Sequence, residues 1–232
     1  ANLPETEAAA REWRYQALIK IAQTTGSKYI VTAHTQTDRA ETLLYNLIRG
    51  AGADGLSALT WQRKLTPATT LVRPLLEINR SATGEFCREY QLPVWEDVYN
   101  LDRKYARVRL RTEIIPQLAA EFNPQIESHL ARTGELLRAD VECLEFLAED
   151  LYGLAIGTAG AKLDRILLQS TPLALQRRVI RRFLNQALGK MPTFSQIEDT
   201  IVLIDAPNRT RTSTFSHGLA AEVSGKWIVV RE

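Results

Sequence analysis

Cysteine is scarce. The 232 residues hold 2 of them, Cys87 and Cys143, far apart in the chain. That excludes a disulfide framework and a cysteine-rich metal knuckle, and it suits a reducing compartment, so a cytoplasmic protein is expected. No apolar run approaches the roughly 18 residues that cross a bilayer, and no secretory segment opens the sequence; no membrane partner is expected. There is no internal repeat and no low-complexity tract. His129 and His217 lack acidic or cysteine neighbours at ligand spacing and read as structural or surface residues, so no protein-built metal site is expected.

What is present is ordinary in bulk, with 45% hydrophobic and 24% charged residues and a length that suits one large or two small domains. The formal net charge of +2 says little, but its distribution says more. Residues 60–119 carry 10 Lys/Arg against 7 Asp/Glu, with Arg103, Lys104, Arg107, Arg109 and Arg111 in one short stretch. A second cluster is Arg177, Arg178, Arg181 and Arg182. Each is either a solvated face or a phosphate-binding surface, since the guanidinium fork matches phosphate oxygens.

The most informative stretch runs from His34 through Asp38-Arg39-Ala40-Glu41-Thr42 to Arg49-Gly50. It follows a strand pattern at Tyr29–Ala33. In the helix it opens, Ala40, Leu43, Leu44, Leu47 and Ile48 form an apolar stripe, and Asp38, Glu41, Thr42, Tyr45 and Arg49 a polar one. Two carboxylates and a guanidinium thus fall at the carboxyl end of a strand, where open α/β sheets bind ligands. The same spacing also reads as helix capping, with Asp38 as the N-cap and Glu41 bonding back to it. Gly50-Ala51-Gly52-Ala53-Asp54-Gly55 matches G-x-G-x-x-G literally, but it follows a helix, so Gly50 is read as a helix stop.

Elsewhere the pattern predicts a helix over 5–25 that buries Ala8, Trp13, Ala17, Leu18, Ile21 and Ala22. An extended segment follows at 71–76, a helix at 80–90, a short strand at 92–95 with Trp95 in the core, and a helix over 107–118. From Phe122-Asn123-Pro124 to Gly153 one long amphipathic helix is expected, with Leu130, Leu136, Leu137, Val141, Leu144 and Leu147 as its stripe. Helices at 163–169, 172–188 and 194–204 come next, then a hairpin over 218–231 turning at Ser224-Gly225. Alternation of helix and strand predicts an α/β, Rossmann-like parallel sheet, partial in this chain, followed by a mainly helical second domain with a C-terminal hairpin. The domain boundary is expected at 118/119.

These motifs together resemble the tRNA(Ile)-lysidine synthetase family of PP-loop ATP pyrophosphatases. The matching pieces are Ala10-Arg11-Glu12-Trp13-Arg14-Tyr15, Thr32-Ala33-His34 through Asp38-x-x-Glu41-Thr42 to Arg49-Gly50, Gly55-Leu56, Arg73-Pro74-Leu75 and Trp95-x-Asp97-x-x-Asn100. Tyr105-x-Arg107-x-Arg109-x-Arg111, Ile115-Pro116-x-Leu118 and Pro172-x-Ala174-Leu175-Gln176-Arg177-Arg178 continue in order. The resemblance implies that ATP adenylates C2–O of the wobble cytidine in a tRNA(Ile) with a CAU anticodon, and that free lysine then displaces AMP. ATP and Mg²⁺ are the implied cofactors.

By motif position the resemblance makes Asp38, Glu41, Arg14 and Arg107 the catalytic candidates. The acids would hold the lysine cation and take its proton, or help hold Mg²⁺; the arginines would meet phosphate. His34, Thr42, Arg49, Arg109 and Arg111 are the candidates for binding substrate or nucleotide. Arg177, Arg178, Arg181 and Arg182 are those for tRNA, and Arg178 or Arg181 could instead tie helices together. Asp97 and Asn100 read as bracing a turn.

The family's Ser-Gly-Gly-x-Asp-Ser phosphate loop does not occur in these 232 residues. Three explanations are open: a portion of a longer protein, which is the reading preferred; a loop on a separate chain; or a relative without ATP chemistry. Val108 and Tyr99 stand where the family usually has asparagine and serine. The alternatives to a ligase are a tRNA thiolation enzyme, for which Cys87 and Cys143 look too isolated and buried, and a non-catalytic tRNA-binding fragment. A homodimer is left open.

Overall fold

A computed structural model describes residues 7–95, 102–157, 162–215 and 218–231. Asp97, Tyr99, Asn100 and His217 lie outside the described residues. Two compact units divide at Ala139.

The first unit opens with α1 (Glu7–Thr25), β1 (Tyr29–Val31), α2 (Gln36–Ile48) and α3 (Ala53–Leu56). β2 (Gln62–Lys64), β3 (Thr70–Val72) and α4 (Arg80–Glu89) follow. β1 pairs in parallel with β3, Ile30 opposite Leu71, and β2 adds to β3 antiparallel, giving the order β1-β3-β2. The parallel pair is the one expected, whereas β2 was not. Its alternation is masked by exposure of all three residues. Tyr15, Ala22, Ile30 and Leu71 form the small core between α1 and the sheet. Gly50 stops α2 with φ +74°, a conformation in which a Cβ is strained.

Several expected apolar positions are exposed instead. On α1 Trp13 and Ile21 face solvent, while Tyr15 is buried. On α2 Leu47 and Ile48 are exposed, while Glu41 and Thr42 are buried. Residues 92–95 form no strand, and Trp95 is 90% exposed rather than in the core. Cys143 is exposed and Cys87 half-buried, and both thiols are free. The helical period tells which residues share a face; it does not tell which face is covered.

After residue 101 the chain forms α5 (Ala106–Arg109), a π-helical stretch (Leu110–Ile114) and α6 (Ile115–Glu121). Pro116 explains the break. It has no N–H to give the carbonyl of Thr112, so the regular ladder cannot run through it. Then comes α7 (Ile126–Ala155), whose first half belongs to this unit. There Glu127 accepts the Thr37 hydroxyl at 2.7 Å and Glu135 accepts Arg39 Nη2 at 2.8 Å, which fastens α7 to α2. The Arg138 guanidinium beside it holds the Glu135 carboxyl below its ordinary range.

The second unit contains the rest of α7, β4 (Lys162–Asp164), α8 (Arg165–Gln169), α9 (Leu173–Leu188), α10 (Phe194–Ile201) and a 3₁₀ turn (Val202–Ile204). β5 (Ala220–Ser224) and β6 (Trp227–Arg231) form the expected hairpin, and β4 joins β6 antiparallel. The segment expected as a helix from 163 thus begins as a strand. The helix starts one residue after Asp164, whose carboxylate accepts the Ile166 N–H as N-cap. Thr193 caps α10 with Gln196 answering, a capping box. Phe183, Ile180, Leu184, Leu163, Leu203 and Ile228 form the buried centre. Leu136 and Leu147 of the predicted α7 stripe are exposed. Among the described residues no helix is long and apolar enough to cross a membrane.

Phe183 is 0% exposed and Phe194 is 69% exposed. Phe183→Ala therefore lowers stability by about 3–5 kcal/mol through lost burial and a residual cavity. Phe194→Ala changes stability by less than about 0.5 kcal/mol. Chemical denaturation of the two variants checks this contrast.

Candidate functional site

Because β1 and β3 are parallel, the residues leaving their carboxyl ends emerge side by side: Thr32 to Asp38 from β1 and Arg73 from β3. The Thr32 N–H still bonds the Val72 carbonyl at 3.0 Å, continuing the pairing into the loop. Thr35, not Asp38, is the N-cap of α2. Asp38 stands at the third helical position and returns its carboxylate: Oδ2 accepts the Thr35 N–H at 2.7 Å and the Thr35 hydroxyl at 2.8 Å. Capping thus occupies one carboxylate oxygen of Asp38 and leaves the other, Oδ1, 3.8 Å from Arg111.

Glu41, one turn further on, has a side chain only 1% exposed. Arg111 donates to it twice, Nε to Oε1 at 2.5 Å and Nη2 to Oε2 at 2.9 Å. Burial pushes the Glu41 carboxyl up, and the hydrogen bonds and charge of Arg111 offset that only in part. The carboxylate in turn raises the Arg111 guanidinium. Arg111 lies in the π-helical stretch, so the irregular turn carries the side chain that closes over α2.

His34 is half-buried, with Nδ1 2.9 Å from the Thr32 hydroxyl. Burial lowers its pKa; Asp38 pulls it up, while Arg73, Arg11 and Arg107 push it down. The imidazole is therefore neutral near pH 7. Arg73 is itself buried, donating from Nη1 to the Thr60 carbonyl at 2.5 Å and bonding Tyr15, while its Nε has no partner. Arg11 and Arg63 each lie over the Tyr15 ring, at 5.7 and 5.4 Å. Arg49 and Arg107 lie over Tyr45, at 5.2 and 5.9 Å, and Arg49 also bonds the Tyr45 hydroxyl at 3.1 Å.

The structure thus brings together Asp38, Glu41, His34, Arg107 and Arg111. Arg49 sits beside them through Tyr45. Thr42 is buried and gives its hydroxyl to the Asp38 carbonyl at 2.7 Å, within its own helix. Arg109 is exposed. Arg14 is exposed on α1 and has no ion-pair partner among the described residues. Arg11 is the α1 arginine that reaches the site. Sequence reasoning missed Arg11, Tyr15 and Arg73, although a signal existed: Arg11 and Tyr15 are four apart and share a face, and Arg11 lies over the Tyr15 ring.

In the second unit the predicted tRNA arginines are paired. Glu145 takes Arg178 at 3.0 Å, Arg181 at 2.5 Å and Arg182 at 3.0 Å, and Glu198 takes Arg177 through Nε and Nη2 at 2.8 and 3.0 Å. Arg178 is the most buried of the four, with 12% of its side chain exposed against 41% for Arg177. Among the described residues no group of three or more His, Cys, Asp or Glu could hold a metal. Asp38 Oδ1 can supply one ligand, which is all that a Mg²⁺ carried by phosphates and water needs.

The chain is similar to known proteins over nearly its whole length. A family model described as a PP-loop domain matches residues 1–118, and one described as a TilS substrate binding domain matches residues 163–216. The tRNA(Ile)-lysidine synthase of Nostoc sp. is 54% identical, over 97% of this chain and 70% of its own length. That of Synechocystis sp. is 48% identical, over 98% and 71%. A chloroplastic tRNA(Ile)-lysidine synthase of Pyropia yezoensis is 38% identical, over 97% and 68%.

The charges around His34 make a testable statement. Its folded pKa lies below the unfolded value of 6.5, so the unfolded chain binds the proton first and this group costs stability as pH falls through and below 6.5. In an NMR titration His34 has its midpoint below 6.5. Arg11→Met raises that midpoint and Arg14→Met leaves it in place; the reverse order would return Arg14 to the site.

Proposed function

The chain belongs to the tRNA(Ile)-lysidine synthase family, and from that premise we propose how its residues serve the reaction. The observation that carries the proposal is one acid with a free oxygen, Asp38, set between arginines and a neutral histidine at the carboxyl ends of two parallel strands.

The C2 oxygen of the wobble cytidine in a tRNA(Ile) with a CAU anticodon attacks the α-phosphorus of ATP. The bond to pyrophosphate breaks as the new P–O bond forms. Charge gathering on the α-phosphate needs fixed cations, and Arg107 and Arg11 supply them without reorganising. A neutral His34 can accept or donate one hydrogen bond there and adds no third cation to the rim. Asp38 Oδ1 would hold Mg²⁺, which when bound neutralises phosphate charge.

In the second step the ε-amine of free lysine attacks C2, and the C2–O bond breaks to release AMP. Lysine arrives as an ammonium with a reference pKa of about 10.4, and must lose a proton to attack. Asp38 holds that ammonium and receives the proton. Glu41 is a positioning residue in this reading: sealed under Arg111, it orients the guanidinium that neighbours Asp38 rather than meeting substrate. Both cysteines are free, which suits the cytoplasmic setting proposed here.

The decisive experiment assays the chain within the open reading frame that encodes it, with labelled lysine, ATP, Mg²⁺ and a tRNA(Ile) transcript carrying CAU. ATP-dependent label in the tRNA is expected, and its absence from folded protein would overturn the assignment. Asp38→Asn lowers lysine transfer by roughly 10²–10⁴-fold and lets adenylated tRNA accumulate, because the amide cannot take the proton, while its oxygen can still offer one ligand to a Mg²⁺ carried chiefly by phosphates and water. If adenylation falls equally, Asp38 acts on the nucleotide instead.

We also propose that tRNA backbone meets the second unit at Arg177, the most exposed of the four arginines there. Arg177→Ala weakens tRNA binding and reduces its salt slope by about 1. Arg178→Ala chiefly lowers the stability of that unit. An unchanged slope for Arg177→Ala retires the contact.

A further inference from the structure

Two tyrosines of the first unit each carry a pair of arginines. Arg11 and Arg63 lie over Tyr15, and Arg49 and Arg107 lie over Tyr45. The two sets come from different elements: α1 and β2 supply one, α2 and α5 the other. Each has a half-buried member, Arg11 or Arg107, and both of these bear on the His34 imidazole. Each also has an exposed member, Arg63 or Arg49. Both sets therefore reach one rim, and each leaves a guanidinium open to solvent.

What they lack is an acid. None of the four has a carboxylate partner among the described residues, whereas Arg39, Arg111 and Arg178, which tie elements together, each have one. Arg73, buried and bonded to Tyr15, has no carboxylate partner either and leaves its Nε unanswered. A ring face holds a guanidinium without neutralising it, so like charges stay together with only an incoming anion to offset their repulsion. A stacked fork also keeps its edge N–H groups free for phosphate oxygens and has little freedom left to lose. Separate pairs at one rim match an anion that repeats. Single-stranded RNA repeats in this way, with a phosphate on each side of every internal base, whereas ATP gathers its charge on one short run of phosphates.

We propose that Arg63 and Arg49 hold the two backbone phosphates that flank the target cytidine, one phosphate on each, so that the base between them is presented to the rim at His34 and Asp38. This rests on the reading of the chain as a tRNA ligase and adds to it the way the nucleotide is offered. Tyr15 and Tyr45 are positioning residues that fix the direction of the two forks. Arg11 and Arg107 remain with the α-phosphate. Holding both phosphates selects an unpaired loop nucleotide, because in a duplex the base between two such phosphates is stacked and turned toward its partner. Free cytidine has neither anchor and CMP has one, so both are poor ligands.

The test is a double-substitution cycle on protein made from the open reading frame that encodes the chain. The ligand is a synthetic anticodon stem-loop of tRNA(Ile) with CAU, either unmodified or with one neutral methylphosphonate linkage, 5′ or 3′ of the wobble cytidine. Each such linkage weakens binding to the unsubstituted protein by roughly tenfold. Arg63→Met and Arg49→Met each weaken the unmodified RNA by a similar factor and lower its salt slope by about 0.7. Each variant is then indifferent to one of the two linkages and still sensitive to the other, and the two variants differ in which. Methionine keeps an apolar stem over the ring, and both arginines are exposed, so the fold is retained. Penalties of substitution and linkage that simply multiply show a structural role and overturn the proposal. A loss of ATP affinity with RNA affinity unchanged also overturns it, since the arginines then serve the nucleotide. If the unsubstituted protein does not bind the unmodified stem-loop at all, the tRNA ligase reading itself falls, and this proposal with it.

Discussion

The ion pair between Glu41 and Arg111 is the constraint on which the first unit depends. A carboxylate sealed to 1% exposure is costly to desolvate, and the cost is offset only by a partner that fills both oxygens. Arg111 does so with two parallel N–H bonds, the geometry that the guanidinium plane allows and an ammonium does not. The pairing requires the backbone at 110–114 to face α2. The π-helical stretch before Pro116 provides that, and a regular helix through the same residues would rotate Arg111 away from the acid. One irregular turn, one proline and one buried acid are therefore a single device. It places the Arg111 guanidinium 3.8 Å from Asp38 Oδ1.

How much of this could be read in the amino-acid order depends on the level. Local signals were legible: Gly50 ending α2, Asp164 and Thr193 starting helices, the parallel partnership implied by helix–strand alternation, and the hairpin turn at Ser224-Gly225. The polar stripe of α2 was legible as well, but its burial was not. Period-3.6 patterning assigns Glu41 and Leu47 to different faces and assumes that the apolar one is covered. Here the first half of α2 is covered on both stripes, Ala40 and Leu43 as well as Glu41 and Thr42, and its last turn is exposed, so Leu47 and Ile48 face out. On α1 the expected stripe divides likewise, with Ala22 buried and Trp13 and Ile21 exposed. Tyr29 and Val31 on β1, which ends the order β1-β3-β2 among the described residues, are exposed too.

Charge counting met a related limit. Four arginines on α9 suggest a field reaching into solvent, yet Glu145 gathers Arg178, Arg181 and Arg182, and Glu198 takes Arg177. Linear distance hides this, since Glu145 lies on α7, more than thirty residues away. Three guanidiniums on one carboxylate still leave a local positive excess, so the cluster keeps some attraction for phosphate while its inner members brace helices. Exposure, rather than position in the motif, then ranks the arginines by what each can touch.

The same logic separates the two acids that the sequence presents as a pair. Both stand on one face of α2 a single turn apart, and either could serve as base on spacing alone. Asp38 gives one oxygen to the backbone turn before it and keeps the other turned toward Arg111 at 3.8 Å, too far for a hydrogen bond. Glu41 gives both oxygens to Arg111 and has none left. A proton acceptor needs a lone pair that a substrate can reach, and only Asp38 has one. Recruiting Glu41 would mean leaving Arg111 unpaired beside a cationic amine, a like-charge contact at the moment when positive charge must be drawn off. The buried acid therefore serves by staying occupied, which keeps Arg111 neutralised and lets the second acid meet the amine.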